Sequence, residues 1–277
     1  MNKFFSLYCI LPATLLAGSI NINSSYHNGS SSYTVKNKNI KSELKFPFSF
    51  NSIGMEYFTN FKNLKIGISY NTLLNYNSKK GEDFDWKDNN LTIYSNSKNN
   101  VKKFENIELL ISKRLYLNFD IFATFNYTDL EFDWYDTNQV DYLLNKKSHT
   151  GGKTLKFRQE FYKYSLGIQY KNHINKKMLL ILNPSLTYAY INTKDSHILR
   201  GFYTTQNFNT LGYDFSTILI YKINKRSNLK ISYKYEKLSK DNTDMSYYNN
   251  SNYKFNMLPS SYKYNQNKFK ISYSFLK

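Results

Sequence analysis

Two short stretches of this chain carry side chains that move protons near neutral pH. The first is Gly81-Glu82-Asp83-Phe84-Asp85-Trp86-Lys87-Asp88, and the second is Lys194-Asp195-Ser196-His197. Carboxylates and imidazoles are the usual general acids and bases, so these stretches are candidates for acid–base chemistry. Each also has a plainer reading. An Asp-x-Asp in a polar loop is usually solvated or a weak cation contact, and here it lacks the further ligands and glycine of a calcium loop. An Asp-x-His pair at the rim of a β-structure is often only surface polarity. The other histidines, His27, His149 and His173, have no comparable partner and read as structural or solvated. The single cysteine, Cys9, lies in the N-terminal apolar run, so thiol catalysis and thiolate zinc sites are excluded from the processed chain. No Gly-rich phosphate loop, Gly-x-Ser-x-Gly turn or His-Glu-x-x-His helix is present, and neither metal nor cofactor is expected.

What must position the two stretches is a set of strands. Leu64-Ile66-Ile68-Tyr70, Leu117-Phe119-Ile121-Ala123-Phe125-Tyr127, Leu229-Ile231-Tyr233-Tyr235 and Phe269-Ile271-Tyr273-Phe275 all alternate with polar residues. A period of two means strands with one apolar face. The pattern predicts strands at 24–35, 40–59, 63–75, 101–112, 115–134, 154–171, 177–195, 208–222, 228–238 and 260–276. Short links near Phe61-Lys62, Lys113-Arg114, His173-Ile174-Asn175 and Asn224-Lys225-Arg226 alternate with long ones at 76–100, 135–153, 196–207 and 239–259. Short periplasmic turns and long external loops are the outer-membrane pattern, so the expected fold is all-β, an antiparallel transmembrane β-barrel of about ten strands.

In the seventh predicted strand Leu182, Leu186, Tyr188 and Tyr190 are apolar and face lipid. Ser185, Thr187, Ala189, Thr193, Asp195 and His197 then face the lumen. Asp83 and Asp85 share a face if their segment is extended. Both stretches follow outward-running strands and, four strands apart in a closed ring of ten, lie nearly across the mouth from one another.

Composition agrees with a barrel. Hydrophobic residues make up 41% of the 277 residues, yet aromatics reach 18%, with 27 Tyr and 21 Phe. A membrane barrel needs an apolar band and aromatic girdles while its lumen stays polar. The formal charge of +18 suggests nucleic acid or an anionic surface. Lysines scattered through turns and between aromatics argue against nucleic acid, and contact with lipopolysaccharide phosphates is kept as an alternative. Residues 1–19, with Lys3, the run Phe4–Ala17 and small residues after it, read as a signal peptide, leaving 20–277 as the barrel.

Asp83-Phe84-Asp85-Trp86 after the third predicted strand, together with Asp195-Ser196-His197 after the seventh, resembles the omptin family of outer-membrane endopeptidases. The resemblance implies a catalytic set of Asp83, Asp85, Asp195 and His197. In it His197 draws a proton from water, Asp195 orients and stabilises the imidazolium, and the Asp83/Asp85 couple shares a proton that meets the developing oxyanion. It also implies a site facing the cell exterior, polypeptide substrates, and no acyl-enzyme. A monomer is expected.

The sequence departs from the family where substrate and lipid are read. The pocket for a basic substrate residue carries a carboxylate two positions before the dyad aspartate, where this chain has Thr193, and another from the end of the first strand, where it has Ser30-Ser31-Ser32-Tyr33. Thr193 is therefore the expected substrate-binding residue, with weak or absent preference for basic residues unless Glu82 or another loop carboxylate reaches the pocket. At the family's lipopolysaccharide site Tyr127 and Asp129 match, but Glu131 and Glu160 stand where the family has arginines. The leading expectation is an omptin-like peptide hydrolase. A non-catalytic barrel acting as adhesin or structural surface protein is the alternative, and a small pore the third.

Overall fold

A computed structural model describes residues 18–249 and 254–276. The expected signal segment lies outside them except for Gly18 and Ser19, which already pair with Thr59 and Phe58. The described residues form β1 (Gly18–Asn37), β2 (Ile40–Phe61), β3 (Leu64–Asn77), β4 (Lys79–Lys87), β5 (Asn90–Tyr116), β6 (Phe119–Asp141), β7 (Lys146–His173), β8 (Met178–His197), β9 (Phe202–Lys222), β10 (Ser227–Asn249) and β11 (Lys254–Leu276). Neighbours run antiparallel, and the ring closes where β1 meets β11, from Ser19 opposite Leu276 to Val35 opposite Ser260. β3 and β4 both pair with β2 and β5, one beyond the other along the barrel. They form a single stave interrupted at Ser78, so the ring has ten staves as the periodicity predicts.

The long loops are where expectation and structure part. Most of 76–100, 135–153, 196–207 and the described part of 239–259 is paired strand, closed by tight turns such as 88–89, 142–145 and 198–201. The physical reason is a change of surroundings along each stave. In β6 the outward residues run Phe119, Ile121, Phe125, Tyr127 and then Asp129, Glu131, Asp133; the inward ones run Asp120, Thr124, Asn126, Thr128 and then Leu130, Phe132, Trp134. The parity is kept, but the polarity of the two faces is exchanged. β2 and β7 do the same, and β8 changes on its outer face, passing from Leu186, Tyr188 and Tyr190 to Asn192 and Lys194. Hydropathy periodicity fades at the crossover, and a strand that continues beyond it reads as loop.

The half of the barrel that holds Gly18 and Leu276 therefore carries an exposed apolar belt, including Ile22, Met55, Ile68, Ile111, Leu166, Leu186 and Ile271, edged by ring pairs such as Tyr127–Tyr162 and Phe119–Tyr170. Such a belt fits a hydrocarbon surround. The other half stands beyond the belt. Its outside is polar, and its inside is filled by an aromatic core of Phe46, Phe48, Phe50, Phe132, Trp134, Phe157 and Phe161. Phe46 stacks on Phe157 with centroids 4.1 Å apart and leans on Trp134 at 4.9 Å. The expectation of a polar lumen holds only inside the belt. His27 sits at the boundary, buried and stacked on Phe50 at 4.4 Å with Ser52 and Gln266 as ring-nitrogen partners, a structural histidine as expected. His149 is exposed beside Asn138, and His173 ends β7 in the open.

The crossover can be tested on one face of one strand. Arginine at Leu186, near the middle of the belt, is expected to cost about 2–4 kcal/mol of folding stability in lipid, against about 0–1 kcal/mol at Asn192 above it. Urea titration of protein folded into vesicles measures both; equal costs would refute a membrane edge near Tyr190.

Candidate active site

β4 is short and must be held in place for its carboxylates to point anywhere useful. It closes on β5 through Asp88 and Asn89, both at positive φ (51° and 65°), a two-residue hairpin turn that Asp and Asn tolerate. The turn is tied to the β1–β2 turn by Asn39 Nδ2 donating to Asp88 Oδ1 at 2.7 Å and Asp88 N–H donating to the Asn39 carbonyl at 2.9 Å. On its outer face Lys41 lies 4.1 Å above Trp86 and Lys45 lies 4.8 Å above Phe84. On its inner face Gly81 lies flat against Trp134, where a Cβ would come within 2.4 Å of the indole. These contacts turn Asp83 and Asp85 to the same, inward side.

Asp83 is buried above the aromatic core, opposite Leu44 of β2 and Ser95 of β5. Burial first and the neighbouring Asp85 charge second push its carboxyl up to about 7, with His197 and Arg200 pulling the other way. His197 of the second stretch is near enough to Asp83 for its charge to act there. Asp83 Oδ1 is buried with no protein partner.

On the opposite wall β8 brings Asp195 and His197 inward, with His197 Nε2 3.5 Å from Asp195 Oδ2. The imidazole stacks on Phe202 across the β8–β9 hairpin, centroids 4.2 Å apart, and Phe202 in turn stacks on Tyr247. Asp195 is buried, and its Oδ2 also accepts a hydrogen bond from the Tyr33 hydroxyl, while Oδ1 has no protein partner. Tyr33 stands inward on β1 between Phe46 and Phe157. Its link to Asp195 was not foreseen from sequence, although the inward odd parity of β1 marks it. Arg200 and Phe202, in and after the 198–201 turn, carry no periodic signal that would single them out.

Thr193 lies one inward step below Asp195, buried, with its hydroxyl 3.4 Å from Gln206 Oε1. Gln206 Nε2 donates to Thr243 and Ser260 at 3.1 and 2.8 Å. Nearby Ser31 donates to Gln159 Oε1 at 2.7 Å, as does the Tyr262 hydroxyl, and Gln159 Nε2 is buried without a protein partner. The floor beneath the dyad is thus built of hydroxyls and amides. Glu82 does not supply a charge to it: its side chain is on the outer face, accepting from Tyr94 at 2.8 Å with Lys80 at 3.6 Å.

On the outside, just above the belt, Asp129 receives Arg158 through Nε and Nη2 at 2.9 and 2.8 Å and Lys103 at 2.8 Å. Arg158 also meets Glu160, and Lys156 meets Glu131 at 2.8 Å. Arg158 and Lys103 were missed in the sequence reading of this patch, yet they are matched by carboxylates.

No protein-family model matches the chain, and no curated protein matches it in sequence. Among solved structures it is similar to the outer membrane protease OmpT from Escherichia coli, with a TM-score of 0.77 over 96% of this chain and 99% of that one. Identity is 12%, so this likeness is one of fold. The outer membrane protein OprG from Pseudomonas aeruginosa aligns over 94% of this chain and 96% of its own, at 10% identity and a TM-score of 0.44.

The raised Asp83 carboxyl has a consequence for stability. Folded Asp83 keeps its proton up to about 7, whereas the ordinary value is 3.8. Between those values the folded chain binds the extra proton, so this group destabilises the fold increasingly as pH rises. Asp83→Asn removes that cost, and its unfolding temperature relative to the parent is expected to be higher at pH 8 than at pH 4. Thermal unfolding in detergent at the two pH values measures this; a pH-independent difference would contradict the protonation assigned here.

Proposed function

We propose that this barrel is an outer-membrane endopeptidase of omptin type, its site at the external mouth, cleaving polypeptides by direct attack of water. The observation that carries the reading is the pairing of a His–Asp contact on β8 with a buried, partly protonated Asp83 facing it from β4. His197 takes a proton from water as the oxygen attacks the peptide carbonyl. Asp195 stabilises the imidazolium, and Tyr33 fixes the carboxylate that does so. The proton shared by Asp83 and Asp85 hydrogen-bonds to the oxygen that gains negative charge and stays with the couple when the carbonyl reforms. Collapse of the tetrahedral intermediate returns the proton from His197 to the leaving amine. The likeness in fold to an outer membrane protease supports this assignment.

Outer-membrane lipid is proposed as the surround, without a phosphate anchor on the Asp129 patch. There Lys103, Lys156 and Arg158 already face Asp129, Glu131 and Glu160, so a lipid phosphate would have to displace carboxylates.

Refolded protein in neutral detergent is expected to cut a peptide library. Alanine at Asp83, Asp85, Asp195 or His197 should lower the rate by at least about 10²-fold with the barrel still folded, and the losses should not add. Tyr33→Phe should cost less than Asp195→Ala. Near-parental turnover in His197→Ala would remove the proposed base, and absence of any cleavage would favour a non-catalytic surface barrel.

Specificity follows from the floor. A substrate Arg or Lys over Thr193, Gln206, Ser31 and Gln159 meets no carboxylate, and an unpaired charge in a partly desolvated pocket costs several kcal/mol, about 2 or more. Neutral residues are therefore expected at the cleaved bond, and Thr193→Asp should shift the profile towards basic ones. A parental profile dominated by Arg or Lys, unchanged in Thr193→Asp, would refute this pocket.

A further inference from the structure

The belt half of the lumen has no part in the site above. The aromatic core closes it towards the mouth, leaving a cavity of about 200 Å³ at the end that holds Gly18 and Leu276. With liquid water taking about 30 Å³ per molecule, this has room for a small hydrated ion. Lys65 is on the lumenal face of β3 yet exposed, so water reaches this end.

The charges on the wall do not balance. Five lysines and three carboxylates line the cavity. Lys270 is paired with Glu56, which also accepts from Asn21, and Lys234 lies 3.5 Å from Asp214. Lys65, Lys230 and Lys268 have no carboxylate within ion-pair distance among the described residues, and Glu108 is turned to Asn126. Lys65 and Lys230 instead converge on one ring, their ammonium groups 4.5 and 5.4 Å from the centroid of Phe58. Like charges gathered in a low-dielectric wall repel one another and raise the local concentration of anions.

We propose that this half of the lumen is a blind vestibule that binds a small multivalent oxyanion, inorganic phosphate being the simplest, between Lys65 and Lys230 where they meet over Phe58. The closed core makes it a binding site and not a conducting path. It is independent of peptide cleavage, and in an outer-membrane barrel it would open to the periplasm.

The test uses the full refolded chain in a neutral detergent. Phosphate at millimolar concentration is expected to raise the unfolding temperature by several degrees more than sodium chloride of equal ionic strength, and to broaden its own ³¹P resonance in proportion to protein added. Lys65→Met/Lys230→Met, which relieves repulsion and should fold, is expected to weaken phosphate binding at least tenfold. Lys263→Met, on the outer face of β11, is expected to leave it unchanged. Chloride matching phosphate, a ³¹P line that protein does not broaden, or equal binding by the double variant would each overturn the proposal. If the double variant fails to fold, the ³¹P titration of the parental chain decides alone.

Discussion

Everything in this molecule depends on one constraint: ten staves are long enough to pass from lipid into water, and the outer face of each must change polarity where it does. Within the belt a lipid-facing side chain is stabilised by being apolar, and the lumen must take the polar residues. Beyond the belt water lies outside, and the same backbone can be held together only if its inner face becomes a core. Strand parity cannot slip to accommodate this, because a shift by one residue would reverse every side chain. The sequence changes composition instead, and Asp129, Glu131 and Asp133 take up the outward places that Phe125 and Tyr127 held below.

That exchange creates the ground on which a reactive site can stand. Phe46, Trp134 and Phe157 form a dry floor under the mouth, and a carboxylate set on a dry floor resists ionisation. Asp83 owes its raised value first to this burial and only then to Asp85. The same floor holds Tyr33 against Asp195, so the core that replaces water inside the barrel also orients the wall opposite β4. A lumen left polar throughout, as composition suggested, would hydrate both walls and leave Asp83 an ordinary surface acid.

The sequence made the staves, their pairing order and the inward parity of Asp195, His197, Asp83 and Asp85 legible, because each is a consequence of period two. It did not disclose the extent of the strands. Hydropathy sees a strand only where its two faces differ in the expected sense, and stretches such as Asn96-Ser97-Lys98-Asn99-Asn100 remain paired without that contrast. Contacts across the ring were also hidden: Tyr33 meets Asp195 at a separation of 162 residues, and nothing local to either marks the other. The run Phe46-Pro47-Phe48-Ser49-Phe50 held a sign of the inner core that the sequence reading passed over: its phenylalanines share one parity with inward Glu56 and not with outward Met55.

Tyr33 brings the two demands on the site into contact. Its hydroxyl and the His197 ring both address Oδ2 of Asp195, leaving Oδ1 without a protein partner. A carboxylate that accepts a tyrosine hydrogen bond is a weaker base toward a second donor, so Asp195 holds His197 less tightly than a free carboxylate would. The same tyrosine supplies bulk and no charge at the edge of the pocket. One residue on β1 thus links the strength of the dyad to the neutrality of the floor beside it. A carboxylate at position 33 would alter both at once, placing a second negative charge against Asp195 and raising the proton affinity of the pair. In this chain the hold on Asp195 and the absence of charge beside Thr193 are therefore one structural choice.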